Sequence, residues 1–341
     1  MSNHPSGPPY APSIASVGGI PSIGIDVPTS AVFMFLYIVS ATGHMTIFQI
    51  NKRRGQKFIM SGMMFGYSVA RTLTMILRIV WAVYPHDIQI AIAAQIFVSA
   101  GVLILFIINL IFAQRITRAA HPHFGWHRAL SNIFKVLYVG VAVMLAMVIT
   151  ATVQSFYTLN PHVKRIDRDL QITASTYLLL ISFLPIPMVI FSLIVPRKTR
   201  LDKFGSGRWR SKIWILLAST VLLCLGASFR TATTLKNPRP INDPAWYQAK
   251  WCFYFFNFVI EIIVIYLCLL VRVDRRFIIP NGSKGPGDYV RQQMQQRSGE
   301  NVDELPRRSM SSTTHILSEE EVFDDMNPVE RTLSKENGSP V

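Results

Sequence analysis

Seven long apolar stretches, roughly 30–50, 58–83, 89–113, 133–156, 173–195, 213–234 and 248–271, constrain what this chain can become more than any other feature. Each is about the 20 residues that a helix needs to cross the hydrocarbon of a bilayer. In lipid no water is available to the backbone, so a spanning segment must close its own N–H and C=O groups, and a helix does so within itself. Helices this long in a water-soluble bundle would carry a polar face, and these do not. The expected fold is therefore an all-α membrane protein, a seven-transmembrane-helix bundle over residues 30–271. Residues 1–29, rich in Pro, Gly and Ser, are expected as a disordered extracytoplasmic segment, and 272–341 as a disordered cytoplasmic tail.

Charge decides orientation and excludes one class of partner. The chain carries a net charge of +15, yet only 16% of its residues are charged and its mean hydropathy is +0.32. The cations do not gather on one face, as nucleic-acid binding requires. They lie in short runs between the apolar blocks, where anionic lipid head groups are met, so nucleic acid is not an expected partner. Eighteen Lys or Arg fall on one side of the bilayer (Lys52–Lys57, Arg115–Lys135, Arg197–Lys212 and Arg272–Arg276) and six on the other (Lys164–Arg168, Lys236, Arg239 and Lys250). Positive loops stay in the cytoplasm, which puts the N-terminus outside. The first 26 residues have no Lys or Arg, so the first span reads as an uncleaved signal anchor. Cys224, Cys252 and Cys268 all lie in apolar blocks, and no disulfide is expected.

Ionisable residues inside the blocks carry the most information, because each costs a few kcal/mol in lipid and must find a partner in the bundle. Arg71 and Arg78 are about two turns apart on one face of block two, with Tyr67 and Thr74 between and beside them. Block six holds Arg230, close enough to its outer end to snorkel, and block seven holds Glu261 and Asn257. Glu261, the only glutamate before residue 300, is expected to pair with Arg71 or Arg78. Polar stripes at helical spacing (Ser40, His44 and Asn51; Gln95, Ser99 and Asn109; Thr150, Gln154 and Tyr157; Tyr254 with Asn257) serve either as interhelical glue or as cavity lining. Pro185 and Pro187 should kink block five.

Other motifs exclude or stay open. His121, His123 and His127 have metal-like spacing but no Cys or carboxylate to complete a site, so neither a metal nor any other cofactor is expected. Without an intramembrane Asp, a suitable Gly-rich phosphate loop or a nucleophile elbow, the chain is not expected to be an enzyme. In the tail, Ser309 and Ser311 follow Arg307-Arg308, and Ser318 precedes Glu319–Glu321, which makes the three candidate phosphorylation sites.

In outline the chain looks like a G-protein-coupled receptor. Its third block, however, ends Asn109-Leu-Ile-Phe-Ala-Gln-Arg115 where rhodopsin-like receptors have Asp-Arg-Tyr, and block seven lacks Asn-Pro-x-x-Tyr. On Phe65-Gly66-Tyr67-Ser68-Val69-Ala70-Arg71 and on Asn257–Glu261, the membrane region more closely resembles an uncharacterised fungal seven-helix family loosely labelled family C-like receptors. Gly66-Tyr67 followed by Arg71 is also similar to the fungal lipid-translocating exporter family, which would make Arg71 a head-group or structural residue. The resemblance implies a multi-pass receptor-like protein that senses a small ligand from outside, near Arg78, Gln154 and Arg230. Arg197, Lys198, Arg200, Lys203, Arg208, Arg210 and Lys212 would then meet a cytoplasmic signalling protein or anionic lipid. The alternative is a lipid or small-molecule transporter with the Arg71–Glu261 pair on its path. The plasma membrane is the expected location, with an endomembrane as the alternative.

Overall fold

A computed structural model of the chain describes residues 7–12, 14–196 and 201–290. Its fold is seven helices long and apolar enough to cross a membrane: α1 (Ile23–Arg53), α2 (Ile59–Val83), α3 (Ile88–Ala120), α4 (Arg128–Tyr157), α5 (Pro161–Ile194), α6 (Trp209–Leu235) and α7 (Lys250–Leu270). A short α8 (Val273–Phe277) follows. The chain is an integral, multi-pass membrane protein in contact with the bilayer. Arg197, Lys198, Arg200, Ser309, Ser311 and Ser318 lie outside the described residues.

Local chemistry sets several helix starts. Asp87 accepts from the backbone N–H of Gln89 and Ile90, 3.0 and 3.3 Å, and opens α3. Asn160 accepts from His162 N at 2.9 Å and precedes Pro161, whose missing N–H and fixed φ suit a first helical position. Three helices are interrupted. Val102 divides α3 into Ile88–Gly101 and Leu103–Ala120, and Leu184 divides α5 just before Pro185. In α7 a π-helical stretch, Phe255–Val259, separates Lys250–Tyr254 from Ile260–Leu270.

The second half of α3 is the axis of the bundle, with Leu105, Phe106, Ile108, Leu110, Phe112, Ala113 and Ile116 all buried. Around it α1 packs on α2 and α7, α4 on α5, and α5 on α6. Val136, Val139, Phe35, Trp214 and Leu270 point outward, as a lipid-facing surface requires, while polar side chains fill much of the interior.

Both ends differ from the sequence expectation. α1 begins at Ile23, not near residue 30, and Asp26 within it is completely buried. Residues 14–20 are packed across the N-terminal face of the bundle. Ala15 N donates to Arg239 O, Gly18 N to Gln248 O, and the Gln248 amide to Ala15 O at 2.7 Å. The Pro/Gly-rich composition that looks like a disordered segment is here the composition of a tight strap. Gly18 has φ +83° and lies so close to the Phe253 ring that a Cβ would be 2.5 Å away. At the other end, residues 273–290 fold back on the bundle instead of leaving it, and Tyr289 is fully buried against Trp126 and Phe204.

Candidate functional site

The interior charges form two clusters. In the first, Glu261 on α7 accepts four hydrogen bonds. Arg71 Nε and Nη2 reach its two oxygens at 2.6 Å each, Tyr67 Oη donates at 2.6 Å, and Arg230 Nη2 at 2.8 Å. Arg71 is wholly buried, and its Nη1 donates to the carbonyls of Phe97 and Val98. The break in α3 makes this arrangement feasible, because the Val102 N–H turns to Ala100 O and leaves Val98 O free to accept from the guanidinium. Gly101 supplies the room, since a Cβ there would stand 2.8 Å from the Arg71 guanidinium carbon.

The interruption in α7 has the same logic. The Asn257 amide N–H takes Phe253 O at 2.9 Å, and its oxygen accepts from Arg230 Nε at 2.8 Å. Gly226 allows α6 to approach this stretch, its Cβ position being 3.0 Å from Phe256 O. Sequence periodicity cannot reveal a π-turn, because one extra residue in a turn leaves an apolar run apolar.

The second cluster centres on Asp26. One oxygen receives Arg78 Nη2 at 2.9 Å and Tyr254 Oη at 2.9 Å; the other receives Lys250 Nζ at 2.5 Å and Ser22 N at 2.8 Å. Arg78 also donates to Gly18 O and Gly19 O and stacks 4.5 Å over the Phe253 ring. Each cluster therefore holds two cations and one carboxylate, leaving a single net positive charge.

Between the clusters lies a cavity of about 280 Å³. Of the seven spanning helices all except α1 contribute to its wall, and the strap residues Ser16 and Val17 border it toward the N-terminal face. Arg78, Arg230, Asn257, Gln95, Ser99, Thr152, Gln171 and Ser175 supply polar groups, and Leu103, Phe106, Leu145 and Leu178 apolar ones. Below it, Asn109 bridges Ser219 and Thr220, and Arg115 donates to Phe277 O.

Several expectations are corrected by this geometry. Glu261 pairs with Arg71, but its second partner is Arg230, which turns inward and does not snorkel; Arg78 is taken by Asp26. Two buried Asp residues occur near the N-terminal ends of spanning helices: Asp26 is the fourth residue of α1, and Asp167 in α5 has neither carboxylate oxygen hydrogen-bonded. Gln154 and Thr150 are exposed on the outer side of α4, and Thr152 faces the cavity in their place. Lys212 is no surface contact: it is 3% exposed and donates to Phe204 O, 4.6 Å from that ring's centre. Arg115, counted among the loop cations, is buried inside α3. Arg208 and Arg210 are exposed, and Lys203 partly so. Among the described residues, no three His, Cys, Asp or Glu side chains come together as metal ligands, and the three cysteines are free thiols.

Residues 205–278 match a family model described as "Protein of unknown function (DUF3112)". The matched stretch includes α6 and α7, and with them Arg230, Lys250, Asn257 and Glu261. No curated protein matches the chain, and no solved structure does.

Proposed function

We propose that this membrane protein is a receptor-like sensor that binds a small ligand in the cavity beneath its N-terminal strap and signals through its basic face. The observation that carries this reading is Arg230, which lines the cavity with a side chain 22% exposed while its guanidinium is bonded to both Asn257 and Glu261 on α7. A ligand that engages Arg230 acts directly on the helix that continues to the opposite face. There His44 meets Ile265 O at 3.3 Å, and Asn51 donates to Asp274 at 3.2 Å. The π-helical stretch that contains Asn257 gives α7 a place to change its winding. With the basic face in the cytoplasm, exposed Arg208 and Arg210 would meet the partner.

A lipid or small-molecule transporter is the second reading, and the interruptions at Val102, Leu184 and Phe255–Val259 favour it, since broken helices gather at transporter substrate sites. Guanine-nucleotide exchange on a co-expressed G-protein α subunit, lost on Arg230→Gln, supports the sensor. Labelled-lipid movement in vesicles, abolished by Arg71→Ala and unaccompanied by exchange, would replace it with the transporter.

A further inference from the structure

We infer that the ligand is an amphipathic anion, with a carboxylate or phosphate head on Arg230 and a short apolar tail directed into the bundle. The inference rests on the binding reading above and deepens it. Among the described residues, Arg78 and Arg230 are the only charged ones lining the cavity, and both are cations. Asp167, one turn toward the N-terminal face from cavity-lining Gln171, does not line it. Each cation belongs to a cluster with one carboxylate for two positive groups, so the wall presents unneutralised positive charge in a low-dielectric interior. A single anion between them halves that imbalance.

Polarity is graded along the cavity. The helix directions place Arg78 and Arg230 in the N-terminal third of the bundle, each five residues from the end of its helix, with Leu103, Phe106, Leu145 and Leu178 deeper. A charged head above and an apolar tail below match that order. At about 30 Å³ per water-sized group, the 280 Å³ volume takes roughly nine such groups, the size of octanoate.

The two arginines around Glu261 are not equivalent, and the difference supplies a switch. Arg71 holds both carboxylate oxygens from a fully buried position, whereas Arg230 makes one contact to Oε1 from the cavity wall. A ligand head can therefore draw Arg230 away while Arg71 keeps Glu261 neutralised. Occupancy exchanges one ion pair for another, and α6 is released from α7 at Asn257 and Glu261.

The test uses the full chain in phosphatidylcholine nanodiscs, with melting followed against octanoate, octyl phosphate, octanol and octylamine. Octanoate or octyl phosphate should raise the melting temperature saturably, with octanol roughly tenfold or more weaker and octylamine inactive. Arg230→Gln should weaken octanoate binding by about tenfold or more, while Arg230→Lys keeps most of it. Leu145→Phe, at the apolar end and on a helix that carries no member of either cluster, should also weaken it. Phosphatidic acid added to the discs distinguishes a bilayer source: if it stabilises the protein and blocks octanoate, the same head site is fed by lipid. Equal stabilisation by octanol, or octanoate binding unaffected by Arg230→Gln in a folded variant, overturns the inference. Octanoate binding without nucleotide exchange would remove the signalling reading and leave the anion site standing. Exchange driven by a neutral ligand alone would do the reverse.

Discussion

Replacing Glu261 by glutamine preserves the side chain's size and its carbonyl acceptor and removes only the charge. In the native cluster that charge serves Arg71, which is fully buried, and Arg230, which is mostly so. Glutamine leaves two guanidiniums side by side with no counter-charge, and breaking a buried pair in this way costs about 3–5 kcal/mol. Arg230→Gln acts on the same carboxylate from the other direction. It removes the surplus cation and leaves the two-oxygen Arg71–Glu261 pair intact, so the expected cost is about 1–2 kcal/mol, that of the hydrogen bonds to Glu261 and Asn257 less the relief of repulsion. A Glu261→Gln, Arg71→Gln double variant returns the cluster to a single net positive charge and should recover part of the loss. Equilibrium unfolding in mixed micelles measures all three. If Arg230→Gln destabilises as much as Glu261→Gln, or if Glu261→Gln falls within about 1 kcal/mol of the parent, the charge accounting is wrong.

Three further outcomes are expected. Gly101→Val pushes a side chain into the Arg71 guanidinium and should cost about 1–3 kcal/mol in the same unfolding assay; Gly66→Ala, with nothing within 4 Å of its Cβ position, should be neutral or slightly stabilising. Asp26→Asn strands Arg78 and Lys250 without a carboxylate and should speed amide exchange across residues 14–22, where the strap is tied to Arg78 through Gly18 O and Gly19 O. Asp202, in the loop before α6, accepts from Gly287 N and Val290 N, and burial, aided by Asp288, pushes its carboxyl up to about 6 against those donors. A carboxyl raised in the folded state binds its proton more tightly there, so its contribution is most favourable below the ordinary value of 3.8 and is lost as pH rises through about 6. Protection of residues 287–290, corrected for intrinsic exchange, should therefore be greater at pH 5 than at pH 7, and Asp202→Asn should abolish the difference.

The candidate site was partly legible because lipid is intolerant of charge. Arg71 and Glu261 had to face the interior and find partners, and the two-turn spacing put Tyr67, Arg71, Thr74 and Arg78 on one buried face, as found. Arg230 misled because its distance from the end of block six allows either an outward or an inward rotamer. In the structure Asn257 and Glu261 on α7 hold the inward one. Asp26 was hidden by its neighbours, since Pro, Gly and Ser lower the hydropathy of residues 1–29 below that of a span.

What the sequence alone determined is the solvent. Apolar runs of spanning length leave the helix as the sole way to satisfy the backbone, and the asymmetry of Lys and Arg orients the bundle in the expectation. Tertiary structure decided which charge meets which. Ion pairing joins residues such as Arg71 and Glu261, 190 positions apart, and depends on where α3 breaks, where α7 widens and how the strap folds back. Those features arise from packing between helices, and the periodicity of any single helix carries no record of them.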